Sequence, residues 1–153
     1  MNPKLFRAQP QDSKVMDEIW RDSVTKEISA SYPQEIMDIW FRYEPHEHEH
    51  WRVEIESKAV YILRSDSEIC GWVMFDEQEL HGLFVKSSCQ GQGFGREMFE
   101  FAVTHMTKRP VKILATLNAV PFYECMGCLA EGMSVVRRTE RDIYVVNMYY
   151  YGE

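Results

Sequence analysis

No stretch of the chain approaches the roughly 18 apolar residues that a membrane-crossing helix requires. The longest uninterrupted run is Ala59-Val60-Tyr61-Ile62-Leu63. The opening residues, Met1 to Pro10, carry two basic side chains but no apolar core of a secretory signal, so a cytoplasmic protein with no membrane partner is expected. Cysteine is scarce, 4 in 153 residues, and in a reducing compartment Cys70, Cys89, Cys125 and Cys128 are expected as thiols. Cys125-x-x-Cys128 falls where a helix should end, so it lacks the dipole that activates redox pairs at helix starts. Basic charge is in deficit as well, 17 Lys and Arg against 24 Asp and Glu. A chain of net charge −7 repels a phosphate backbone, which argues against nucleic acid and favours a cationic substrate.

What is present is an ordinary globular composition with many aromatics, 8 Tyr, 8 Phe and 4 Trp, in a length that suits one domain spanning residues 1–153. Pro3 to Gln9 reads as a short strand, and Asp12 or Ser13 can cap a helix with Met16, Ile19, Trp20, Val24 and Ile28 at helical spacing. A second helix follows Pro33, with Ile36, Met37, Trp40 and Phe41 on one side and Pro45 as its stop. Ala59 to Leu63, Ile69 to Phe75 and Leu80 to Val85 read as an antiparallel meander of three strands. A helix is expected from Gly93 to Met106, with Met98, Phe101, Ala102 and His105 on one face, then a strand from Val111 to Leu117. A brief helix from Asn118 through Cys125 closes at Gly127, and strands follow near Met133 to Arg137 and Ile143 to Tyr150. The expected fold class is α/β (α+β): a single mixed, mostly antiparallel central sheet of about seven strands flanked by helices.

Pro45-His46-Glu47-His48-Glu49-His50-Trp51 contains the H-E-x-x-H spacing of zinc hydrolases, in His46, Glu47 and His50. The longer form of that motif needs a glycine and a third histidine, and Val53 and Glu56 stand there instead. The stretch reads better as a helix start that carries Trp51 and Ile55 inward, and no metal is expected.

The chemistry lies in Leu83-Phe84-Val85-Lys86-Ser87-Ser88-Cys89-Gln90-Gly91-Gln92-Gly93-Phe94-Gly95-Arg96, a strand, a glycine loop and a helix start in succession. Alternating glycines let backbone N–H groups converge, and a helix N-terminus adds unpaired donors, a combination that binds phosphate. It is not a dinucleotide loop, whose third glycine would fall at Arg96, nor a P-loop, which needs Gly-Lys. The pattern Q-x-x-G-x-G, Gln90 through Gly93 to Gly95, resembles the GNAT acetyltransferase superfamily, and the likeness extends across the chain. Asn118-Ala119-Val120-Pro121-Phe122-Tyr123-Glu124-Cys125-Met126-Gly127 is similar to the segment that follows that family's fifth strand. Many members have proline where Ser87 stands and an aromatic residue where Cys128 stands.

The resemblance implies a GNAT-like fold and acetyl-CoA as co-substrate. It implies binding by Gln90, Gly91, Gln92, Gly93, Phe94, Gly95 and Arg96 at the pyrophosphate, with Asn118, Phe122 and Tyr123 nearby. Leu83, Phe84 and Val85 would present their main chain to the pantetheine arm, and Tyr123 would be the general acid for the departing thiolate. Glu79 and His81, which strict alternation places on the side shared with Leu83 and Val85, are the candidate bases. The acceptor implied is a primary, cationic amine on a small molecule or a peptide, attacked directly in a ternary complex. Trp40, Tyr43, Trp72 and Tyr149 to Tyr151 are candidates for its aromatic wall, and His46, His48 and His50 for its rim. Homodimerisation is left open. The rival readings are a catalytically silent acyl-CoA-binding module and a zinc-dependent hydrolase built on His46, Glu47 and His50.

Overall fold

A computed structural model describes residues 4–43, 48–137 and 142–152. In chain order it contains β1 (Lys4–Arg7), α1 (Ser13–Lys26), α2 (Gln34–Tyr43), α3 (His48–Ser57), β2 (Ala59–Ser65), β3 (Glu68–Phe75) and β4 (Glu79–Val85). There follow α4 (Phe94–His105), β5 (Val111–Ala115), α5 (Val120–Cys125), β6 (Leu129–Arg137) and β7 (Asp142–Tyr150). The strands make one seven-stranded sheet in the order β1-β2-β3-β4-β5-β7-β6. Every pairing is antiparallel except β4 with β5, which the crossover through α4 makes parallel. The expected mixed, mostly antiparallel sheet is therefore present.

Each face of the sheet is covered by its own set of helices. On one side Met16, Ile19, Trp20 and Val24 of α1 and Trp51 and Ile55 of α3 bury against Val60, Ile62 and Trp72. Trp72 donates from its indole to the Met16 carbonyl at 3.1 Å, and Trp51 donates to the Asp17 carboxylate at 3.0 Å. Arg21 pairs with the same buried Asp17 at 2.8 Å, so this carboxylate ties α1 to α3 with its charge compensated. On the other side α4 and α5 lie over Leu63, Val73, Leu80, Val111 and Met148.

Several boundaries differ from the sequence expectation. Asp12 accepts the Gln9 backbone N–H at 2.7 Å and closes a 3-10 turn over Pro10–Asp12 rather than capping α1 directly. Ile28 is buried, but in a separate 3-10 turn, Ile28–Ala30, beyond the end of α1. The buried face of α4 is Phe94, Met98, Phe99, Ala102 and Val103. Phe101 is only half-buried, edge-on to Tyr61, and His105 is exposed beside it. Asn118 sits in the 3-10 turn Leu117–Ala119 that feeds α5. β6 starts at Leu129, four residues before Met133, because an irregularity between Ala130 and Met133 lets both ends pair with β7. α2 buries Ile36 and Met37 as expected, while the side chains of Trp40 and Phe41, and Pro45 itself, lie outside the described residues.

Candidate active site

The parallel pair β4 and β5 is matched only at Glu79 with Lys112 and Leu80 with Ile113. Beyond those residues each strand stays with its antiparallel neighbour: β4 follows β3 as far as Val85 with Gly71, and β5 follows β7 as far as Ala115 with Val146. The two strands part, and the gap between their C-terminal ends is the feature on which both cavities of the site depend.

A bulge in β4 prepares this parting. Leu80 pairs with Phe75 but Gly82 pairs with Met74, which leaves His81 as the extra residue. The parity of the strand shifts there. Leu80, Leu83 and Val85 all pack toward α4, whereas Phe84 turns to the opposite core, 4.8 Å from the Trp72 ring. Glu79 and His81, on either side of Leu80, thus do not share a face with Leu83 and Val85. Strict alternation had placed them together, and the bulge is why they are apart.

The larger cavity, about 430 Å³, opens between the parted strands toward the glycine loop. Leu83, Phe84 and Val85 form one wall and Asn118, Phe122 and Tyr123 the facing one. Gln90, Gly91, Gly93, Phe94, Gly95 and Arg96 close its mouth, while Gln92 is exposed and does not line it. Gly91 and Gly93 have φ of 80° and 83°, which side chains other than glycine's rarely permit; Gly93 is the N-cap of α4. The first-turn N–H groups of α4 therefore face the cavity with no intrahelical partner. Gly95 is glycine for another reason: a Cβ there would stand 2.9 Å from the Phe122 ring. The Asn118 Oδ1 is buried without a hydrogen-bond partner in this cavity, an acceptor in want of an N–H donor.

Side chains from the end of α1 hold the shoulder of the loop. Asp22 accepts from the Ser87 backbone N–H at 2.8 Å and from the Ser87 hydroxyl at 3.1 Å, and Lys26 pairs with Asp22 at 2.9 Å. Burial opposes ionisation of Asp22, but these bonds prevail and keep its pKa below the usual carboxylate range. Proline at position 87 would have no N–H for this contact. Glu27 meets the Gln90 amide and also lines the cavity; burial, against that hydrogen bond, pushes its carboxyl up. Sequence reasoning missed Asp22 and Glu27, since the 65 and 63 positions that separate them from Ser87 and Gln90 leave no local signal.

The smaller cavity, about 210 Å³, lies on the far side of the gap. Its lining is mostly apolar, including Trp20, Ile113, Val136, Ile143 and Val145. It shares Ile28, Leu83, Phe84, Thr116, Ala119 and Tyr123 with the larger cavity, so the two meet there. Tyr123 is 6% exposed, and its hydroxyl has no hydrogen-bond partner among the described residues. Burial, with the Cys128 thiol nearby, pushes the phenol up, so it holds its proton at neutral pH. His81 lines the smaller cavity, with Nε2 2.7 Å from Asp76 and Nδ1 3.1 Å from Glu79. Burial raises the Asp76 pKa, but hydrogen bonds from His81 and from the Glu79 and Gln78 N–H groups outweigh it and lower the value to about 2. Glu79 itself lines neither cavity of the gap. Asp76 was not foreseen, although an acidic turn five residues before a histidine was there to be read.

Among the described residues, the aromatic candidates for the acceptor wall line neither cavity. Trp72 is fully buried in the core; β7 pairs Tyr149 and Tyr150 with Lys112 and Val111, at the start of β5 and away from the gap, and Tyr151 follows them. The side chains of Trp40, Tyr43, His48 and His50, and the residues His46 and Glu47, lie outside the described residues, so the H-E-x-x-H set does too. Among the described residues one group of potential metal ligands stands close together, Glu68, Cys70 and Cys89, and it contains no histidine.

Residues 28–149 match the family model described as the acetyltransferase (GNAT) domain. A GCN5-related N-acetyltransferase structure from Rhodopseudomonas palustris superposes with a TM-score of 0.90 at 16% identity, covering 99% of this chain and 97% of that one. The PaiA N-acetyltransferase of Thermoplasma acidophilum, solved in complex with coenzyme A, gives 0.71 at 19% identity over 99% and 100% of the two chains. YncA of Salmonella typhimurium, solved with its cofactor acetyl-CoA, gives 0.72 at 13% over 99% and 94%. No curated protein matches the chain in sequence.

Proposed function

Because the chain belongs to the GNAT acetyltransferase family, we propose that it transfers the acetyl group of acetyl-CoA to a primary amine by direct attack in a ternary complex. The observation that carries this reading is the meeting of two cavities at Leu83, Phe84 and Tyr123: one is bounded by a phosphate-type loop and the other is closed by apolar side chains. The residues of the larger cavity fit acetyl-CoA. The Gly91 and Gly93 loop and the start of α4 offer N–H groups to a pyrophosphate, and the unpartnered Asn118 Oδ1 accepts from an amide of the pantetheine arm. Acetyl-CoA supplies a thioester carbonyl with a thiolate as leaving group.

The backbone at Leu83 to Val85 aligns the arm so that the carbonyl lies in the gap between β4 and β5. Tyr123, protonated at neutral pH, gives its phenolic proton to the sulfur as the carbon–sulfur bond breaks. His81 takes on Nδ1 the proton released by the attacking amine, through a water, because Asp76 occupies Nε2. Asp76 holds one ring nitrogen, and Glu79 receives the N–H that the new imidazolium offers. His81 is preferred to Glu79 as the base because it alone of the two reaches the smaller cavity. That cavity favours an amine on a narrow, apolar body, either a small molecule or an extended side chain of a peptide.

The test is release of the coenzyme A thiol with a panel of amines, read by a thiol-reactive dye. Acetyl-CoA-dependent release that saturates with an apolar primary amine is expected. Tight binding of acetyl-CoA with no amine consumed would make the chain a silent acyl-CoA-binding module instead.

A further inference from the structure

Acetyl transfer makes no use of the two cysteines behind the glycine loop. Cys70 lies on β3 and Cys89 ends the 3-10 turn Ser87–Cys89, one residue before Gln90. Their sulfurs are 2.8 Å apart, and the residues are 2% and 1% exposed. The Lys86 N–H donates to the Cys70 carbonyl at 2.8 Å and the Lys86 carbonyl accepts from the Cys89 N–H at 2.8 Å, so backbone bonds through Lys86 hold the two cysteines near each other. A Glu68 carboxylate oxygen lies within 4.8 Å of both sulfurs, with Lys86 Nζ 3.2 Å from that carboxylate. Cys89 lines the larger cavity and Cys70 does not. Two thiolates that shared a tetrahedral zinc ion, at about 2.3 Å each, would stand roughly 3.8 Å apart. The observed approach is closer than that and suits a sulfur–sulfur bond better than a shared cation.

We propose that Cys70 and Cys89 are a reversible oxidation site: a small peroxide reaching Cys89 through the cofactor cavity converts the pair to a disulfide, and acetyl-CoA in that cavity shields it. The shielding rests on the acetyl-CoA reading above, whereas the cross-link does not. In the first step the Cys89 sulfur attacks one oxygen of hydrogen peroxide, the O–O bond breaks, and Cys89 sulfenic acid and one water result. In the second, the Cys70 sulfur attacks the sulfenic sulfur, a sulfur–sulfur bond forms and the sulfur–oxygen bond breaks. The Cys70 proton passes by way of the Glu68 carboxylate to the departing hydroxide, giving a second water. Two thiols and one peroxide thus give one disulfide and two waters, with both electrons going to the peroxide. Burial, then the neighbouring Cys89 and Glu68, push the Cys70 thiol up to about 12, so Cys70 enters the second step as a thiol and must give up its proton as it attacks, which is the part Glu68 plays.

The experiment treats the reduced full chain with hydrogen peroxide, then denatures it, alkylates free thiols and maps the peptides by mass. Two of the four cysteines should escape alkylation, and one cross-linked peptide should join Cys70 to Cys89 and disappear with dithiothreitol. Cys125→Ser with Cys128→Ser should leave that peptide in place; Cys70→Ser should leave a sulfenic acid on Cys89 that dimedone traps. Acetyl-CoA, at saturation measured by calorimetry on the same sample, should slow cross-linking by tenfold or more. Four alkylated cysteines after peroxide, or a cross-link through Cys125 or Cys128, would overturn the site. Saturation without slowing would overturn the route through the cavity. Calorimetry that shows no binding would fault the acetyl-CoA reading, while the peptide map would still decide the cross-link.

Discussion

At Tyr123 the phenol is protonated at neutral pH, as a general acid for a departing thiolate must be, and burial raises its pKa further, which makes it the weaker acid while the cavity stays dry. Tyr123→Phe should therefore lower kcat by roughly a hundredfold or more, with acetyl-CoA affinity unchanged by calorimetry; unchanged turnover would remove it from the chemistry. Glu27 presents the opposite situation, a carboxylate on the wall of a cavity suited to a pyrophosphate. Burial raises its pKa, and in its ionised form it opposes the incoming negative charge. Glu27→Gln should tighten acetyl-CoA binding roughly several-fold at low salt and by less at high salt. Asp76 makes a pH-dependent contribution to stability. Its folded pKa, about 2, lies below the ordinary 3.8, so its contribution is fully present above the ordinary value and is lost as pH falls through about 2. Thermal unfolding followed from pH 5 to pH 2 should show a smaller decline in Asp76→Asn than in the parent.

Between elements, α1 is attached to the glycine loop through the Ser87 backbone N–H and hydroxyl on Asp22 and through the Gln90 amide on Glu27. Ser87→Pro removes both Ser87 donors and should cost about 1 to 3 kcal/mol in urea denaturation, together with weaker acetyl-CoA binding as the loop loosens its hold on α1. Equal binding in parent and variant would make the contact purely structural. The elements themselves were legible because their signals are local: helical spacing in Met16, Ile19, Trp20 and Val24, and short β-rich segments between polar turns from Ala59 to Val85. The glycine loop was legible for the same reason, its residues being consecutive. The bulge at His81 was not, because an extra residue in a strand is defined by the partner strand, and its presence reversed the face assigned to Glu79 and His81. Of the aromatic candidates for the acceptor wall, Trp72 belongs to the core, which a β-rich segment with both faces covered does not reveal from its own residues. No helix among the described residues is long and apolar enough to cross a membrane.

For the molecule as a whole, the gap between β4 and β5 leaves a cavity of about 430 Å³ inside a sheet that is otherwise continuous, so ligand and fold are linked. Acetyl-CoA at a hundred times its dissociation constant should stabilise the native state by about 2.7 kcal/mol, read as a rise in Tm that grows with ligand concentration and is absent with acetate alone. The order β5-β7-β6 has a different kind of consequence. β6 touches the sheet only through β7, and β7 brings Ile143 and Val145 to the smaller cavity. A frameshift as late in the coding sequence as Gly132 would remove β7, strand what is left of β6, expose the edge of β5 and take away one wall of the smaller cavity. Lesions that remove β7 should therefore be as damaging as lesions in the strands that precede it, and selection should tolerate neither.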